Sequence, residues 1–105
     1  NPPSFEEWTV EQQQIVKRIQ ANQSRLTELG VASLSLFGSV ARGDSTEDSD
    51  IDLLVRFDGR ANFDRYMDLK LFLEDLLGQR VDLVTEQSLR EEVRTHVEQD
   101  LLRVA

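Results

Sequence analysis

The chain contains no cysteine. That excludes disulfides and thiolate metal sites and is compatible with a reducing cytoplasm, the compartment expected for it. No apolar run approaches the length needed to cross a membrane, and no signal-peptide pattern is present. Basic residues are scarce: twelve Lys and Arg stand against twenty Asp and Glu, a formal charge of −8 at pH 7. Such a surface disfavours direct nucleic-acid binding, which depends on side-chain cations meeting phosphates. It favours encounter with a basic protein, although the same charge could serve solubility alone. Histidine occurs once, at His96, on a predicted last helix, and is given no chemical role. The two prolines fall within the first three residues, in a stretch that reads as a frayed lead-in.

What remains is ordinary for a soluble globular protein: 105 residues, 39% apolar and 30% charged. The length predicts a single domain over residues 1–105, with no room for an added helical substrate domain. Thr9 and Gln12 have the spacing of a capping box. Ile15, Ile19, Leu26 and Leu29 continue at helical spacing as far as Gly30, with a kink or shallow stretch expected at Asn22. A second helix, capped by Asn62 or Asp64, carries Leu69, Phe72, Leu73, Leu76 and Leu77 on one face and ends at Gly78. Ser88 and Glu91 suggest the cap of a last helix through Leu89, Val93, Val97 and Leu101. Apolar strands are predicted at Ser33–Phe37, Asp50–Phe57 and Arg80–Thr85. The fold class is therefore α/β (α+β): a small mixed sheet with helices on one face. Strand order cannot be read from the pattern.

The segments around Gly38 carry the chemistry. The first strand stops at Gly38, which can adopt backbone angles closed to other residues and lets a ligand approach the main chain. Ser39 then opens a short segment whose N–H groups and hydroxyl can meet an anion. Ten residues separate Ser39 from Asp50-Ile51-Asp52. Residues two apart on a strand share a face, so Asp50 and Asp52 stand together while Ile51, Leu53, Val55 and Phe57 line the other side. Two adjacent carboxylates repel unless solvated or neutralised. An oxygen-preferring cation such as Mg²⁺ suits them, since it takes one or two carboxylates plus substrate phosphates. A phosphate turn beside a metal site suggests metal-assisted phosphoryl or nucleotidyl transfer. An outward edge strand would also alternate in this way; the position after Gly38-Ser39 favours the metal reading.

Gly38-Ser39, ten residues, then Asp50-x-Asp52 resembles the signature of the DNA polymerase β-type nucleotidyltransferase superfamily. The fuller run Gly38-Ser-Val-Ala-Arg-Gly43 with Ser49-Asp-Ile-Asp-Leu53 is similar to its minimal nucleotidyltransferase (MNT) branch. That superfamily takes a third carboxylate from a later strand, and Asp82 in Arg80-Val-Asp-Leu-Val-Thr85 matches it. The resemblance runs from about Leu34 to Thr85.

It implies the nucleotidyltransferase fold and a two-metal reaction. Asp50 and Asp52 would hold two Mg²⁺ ions, with Asp82 completing one and serving as a base. Gly38 and Ser39 would hold the β- and γ-phosphates of ATP. Arg42 would either bind triphosphate oxygens, the preferred reading, or pair with Asp44, Glu47 or Asp48. Tyr66 could accept a nucleotide, but packing or an exposed place on its helix is the preferred role. MNT chains of this size resemble antitoxins of HEPN/MNT toxin–antitoxin pairs. Transfer of AMP to a tyrosine of a HEPN ribonuclease toxin is therefore implied. The alternative, from another functional class, is a non-catalytic module that neutralises its partner by occlusion. Occlusion would need neither the Gly-Ser turn nor the aspartates. Transfer to a small molecule is a third possibility.

Overall fold

A computed structural model describes residues 5–59, 62–89, 94, 97 and 101–105. Helix α1 spans Val10–Gln20 and starts on the capping box anticipated from Thr9 and Gln12. Thr9 Oγ1 accepts from Gln12 N at 3.1 Å, and Gln12 Oε1 accepts from Thr9 N at 2.8 Å. The expected interruption at Asn22 is a full break, because its side chain donates to Arg18 O at 2.8 Å and α2 restarts over Gln23–Glu28. Strand β1 follows at Val31–Phe37, then the five-residue helix α3 at Gly38–Arg42 and strand β2 at Ile51–Phe57. Helix α4, Phe63–Leu77, is capped by Asn62 and ends at Gly78 in the left-handed conformation. Strand β3 is Val81–Thr85.

The strands order as β3-β2-β1-β4, where β4 is Leu102–Arg103. β1 runs antiparallel to β2 and β4, whereas β2 and β3 are parallel, so the sheet is mixed. Ile15, Val16 and Ile19 of α1, Leu26 of α2, and Leu69, Leu73 and Leu77 of α4 form one core. Their partners are Leu34, Leu36, Ile51, Leu53, Val55, Val81 and Leu83 from alternate strand positions. Each such side chain contributes about 1.5–3 kcal/mol by leaving water, more than helix propensity supplies. The helices thus cover one face of the sheet. The opposite face carries Ser33, Ser35, Asp52, Leu54, Asp82 and Val84, none of them buried.

The chain's end requires a correction. Leu101 does not continue a helix: it is followed by β4, where Leu102 opposes Leu36. Leu102 and Val104 are buried by strand alternation, and the backbone pairing of Leu34 with Val104 and Ala105 prolongs the contact. Ser88 lies in a 3₁₀ turn, Glu86–Ser88, and its hydroxyl donates to Thr85 O at 2.9 Å. Glu91, Val93 and His96, and Arg60 in the expected turn after β2, lie outside the described residues.

Candidate active site

The site forms where the C-terminal end of β1 meets the N-terminal ends of β2 and β3. β1 pairs with β2 as far as Phe37 opposite Asp52. The chain then turns at Gly38, with φ of 70°, into α3. A Cβ on Gly38 would lie 2.1 Å from Asp52 Oδ2 and 2.9 Å from its Cγ. Glycine is therefore required twice, for the left-handed backbone and for a carboxylate packed against the main chain. This close approach by the protein's own aspartate is not visible in the sequence.

Parallel pairing of β2 with β3 sets Asp52 directly beside Asp82. Ile51 and Leu53 on one strand, and Val81 and Leu83 on the other, point into the core at 0–3% exposure. That fixes both aspartates on the open face. Burial pushes the Asp52 carboxyl up to about 6; the charge of Asp82, a hydrogen bond with its side chain, and Asp50 act in the same direction. Arg42 opposes them. A carboxyl so disposed shares or seeks positive charge.

Asp50 precedes β2 and turns toward Arg80, with Oδ1 3.2 Å from Nε. Arg80 is anchored where Ile51 N donates to its carbonyl at 3.0 Å, and Val81 N donates to Glu74 Oε2 at 3.1 Å. Among the described residues, no three acidic, His or Cys side chains are gathered closely enough to hold a metal. Asp52 and Asp82 are already together, and Asp50 is drawn aside by the guanidinium. The donor set is nevertheless all carboxylate oxygen, the chemistry Mg²⁺ selects, and the Asp52–Asp82 pair, in which Asp52 is pushed up, fits a cation. The residues therefore suit the group once Asp50 leaves Arg80.

Ser39 is half-buried in the first turn of α3, and its carbonyl accepts from Asp44 N at 3.0 Å. Arg42 is exposed, with Nε 3.3 Å from Asp44 Oδ2. Of the two sequence readings of Arg42, the structure shows the surface pair with Asp44; its charge also acts on Asp52. Tyr66 donates to Leu83 O at 2.6 Å, which engages its hydroxyl in packing. Sequence reasoning missed Arg80, although it opens the third-strand motif. It also read Gln12 only as a cap, whereas that side chain reaches α3. A cavity lined by Val55, Phe57, Thr85 and Gln87 lies at the other ends of β2 and β3, so chemistry rather than concavity locates the site.

Residues 12–104 match the family described as nucleotidyltransferase domain. The protein adenylyltransferase MntA of Thermococcus cleftensis is 37% identical over 93 residues, 88% of this chain and 94% of that protein. A solved structure assigned as a minimal nucleotidyltransferase has a TM-score of 0.75 at 38% identity, covering 91% of this chain and 97% of the other. The fold also matches a tri-AMPylated HEPN toxin–MNT antitoxin complex of Shewanella oneidensis. The TM-score there is 0.56 at 22% identity, over 82% of this chain and 71% of that one.

Proposed function

Because the chain belongs to the nucleotidyltransferase domain family, in its minimal branch, we propose that it transfers AMP from ATP to a protein hydroxyl. We take the acceptor to be a tyrosine of a HEPN-type toxin, which makes the chain an antitoxin acting as one domain over residues 1–105. The observation that carries this reading is the Asp52–Asp82 pair set against Gly38. A module acting by occlusion has no use for a proton-seeking carboxyl packed on a glycine turn. The names of the Thermococcus and Shewanella proteins support the acceptor class, and a cytoplasmic reaction is part of this reading. The formal charge of −8 suits a basic partner surface.

In this reading Asp50, Asp52 and Asp82 would hold Mg²⁺, two ions in all, Asp50 being the one that Arg80 engages in the structure. Bound Mg²⁺ would offset the triphosphate charge and stabilise the attacking and leaving oxygens. Gly38 and Ser39 present backbone N–H and hydroxyl to the β- and γ-phosphates, and Arg42 adds positive charge beside them. Asp82, exposed at the edge of the pair, takes the proton from the incoming tyrosine hydroxyl. The hydroxyl oxygen bonds to the α-phosphorus, the bond from that phosphorus to the bridging oxygen breaks, and pyrophosphate departs.

The test is to incubate the protein with ATP labelled in its adenine, Mg²⁺ and a HEPN partner, followed by mass mapping of the label. AMP on a partner tyrosine is the expected result. Neutralisation of the toxin without label would establish occlusion instead.

A further inference from the structure

The phosphate turn rests on a helix too short to hold itself. α3 has five residues, and an isolated helix of that length is far below the size that is stable in water. Ser39 O and Val40 O accept from Asp44 N and Gly43 N just beyond the helix, and the carbonyls after them have no partner within it. Two contacts from elsewhere fix it. Val40 is buried at 1% exposure in the core. Gln12, the one buried polar residue among those described, donates from Nε2 to Val40 O at 2.7 Å and to Ala41 O at 3.0 Å.

The Gln12 amide is engaged through both its nitrogen and its oxygen. Both of its hydrogens go to α3, while its oxygen accepts from Thr9 N at 2.8 Å. One side chain thus closes the start of α1 and the end of α3, which are 28 and 29 residues apart at the two acceptors. Glu11 adds a second tie from the same turn of α1, its carboxylate accepting from the Ser45 hydroxyl just beyond α3. Thr9 Cγ2 lies 3.5 Å from the position a Cβ would take on Gly43.

We propose that Gln12 is a positioning residue for nucleotide binding. It sets the placement of Ser39 by clamping the far end of α3, so the N-terminal helix belongs functionally to the phosphate site. This rests on the nucleotide reading given above. Gln12→Glu separates the two roles of the side chain. It retains an oxygen for Thr9 N, and hence the cap of α1, but turns a carboxylate oxygen toward two carbonyls in place of the donor. Gln12→Met, similar in shape and apolar, serves if the charged variant fails to fold. Thr9→Ala weakens the cap and leaves the amide of Gln12 in place.

The experiment measures binding of the β,γ-imido analogue of ATP with Mg²⁺ by calorimetry, alongside Tm for each variant. Loss of buried hydrogen bonds to α3 should weaken binding about ten-fold in Gln12→Glu and Gln12→Met. Thr9→Ala should lower Tm with affinity kept near that of the wild type. Wild-type affinity in a folded Gln12 variant overturns the proposal. So does an equal loss of affinity in Thr9→Ala at matched loss of Tm, which would make the effect one of general stability. Failure of the wild-type protein to bind the analogue at all overturns the nucleotide reading itself, and this proposal with it.

Discussion

The two halves of the candidate site are built on opposite principles. Asp52 and Asp82 stand on paired strands whose inward neighbours, Ile51, Leu53, Val81 and Leu83, are almost completely buried. Their placement comes with the sheet and needs no helper. Ser39 and Arg42 stand on a five-residue helix held by side chains from another part of the chain. The carboxylate half is rigid and electrostatically uncomfortable, with Asp52 pushed up to about 6. The turn half is electrostatically easy but mechanically dependent. Such a division leaves unfavourable charge on the sheet, while the turn is held by packing and hydrogen bonds from α1.

The comparison is broken most sharply at Asp52. Asp52→Asn should reduce AMP transfer to background while the fold survives. Above pH 6 the metal-free variant should melt no lower than the wild type, because it loses a carboxylate that the folded state disfavours. Transfer assays and thermal melts in chelator check the two halves of the expectation. A clear loss of Tm would mean that the charge is structural rather than stored for a cation.

Asp82→Asn should lower transfer by about 10²–10⁴-fold, the range for loss of a general base, with binding of the ATP analogue largely retained. Single-turnover rates beside calorimetric affinities decide this. A loss of affinity equal to the loss of rate would assign Asp82 to metal holding alone.

Gly38→Ala acts where the halves touch. The added Cβ meets the Asp52 carboxylate, and the left-handed backbone costs a non-glycine residue about 1–2 kcal/mol. Displacement of reacting groups on the ångström scale costs about 10²-fold in rate. A similar loss of transfer with a lowered Tm is therefore expected. A variant that keeps wild-type rate and stability would show that the turn and the carboxylate are free to separate.

The smallest effect is on pH dependence. Asp52 is raised from 3.8 to about 6, so between these values the folded protein binds more protons at this group than the unfolded chain does. Its contribution to stability is present below about pH 4 and is lost as pH rises through about 6. Urea midpoints in chelator, taken as wild type minus Asp52→Asn, should fall across that window and level off above it. Saturating Mg²⁺ should flatten or reverse the slope, because the cation favours the ionised form.

Much of this was legible from short-range patterns. The Thr9–Gln12 and Asn62 caps, the Gly78 stop and the apolar stripe of α4 follow from helix geometry. The outward placement of Asp52 and Asp82 follows from the two-residue period of strands. Gly38-Ser39 and Asp50-x-Asp52 were recognisable because their functional groups lie close together in the chain. The end of the chain was misread because Leu101 continued a four-residue spacing that Val97 and Val93 had begun. Apolar spacing alone cannot tell a helix from a two-residue strand that gains stability only by pairing with Leu36.

The sequence by itself determined that Asp52 and Asp82 face out, where α1 begins, where α4 begins and ends, and which side chains are candidates for phosphate and metal chemistry. Each of these depends on neighbours within a few positions. The tertiary structure alone decided that β2 and β3 run parallel with Asp52 opposite Asp82. It likewise decided that Asp52 fills the space a Gly38 side chain would take, that Arg80 holds Asp50, and that Gln12 reaches α3. These contacts join residues about 14 to 30 positions apart. Register and clamp are set by how the whole core closes, and local periodicity carries no information about that closure.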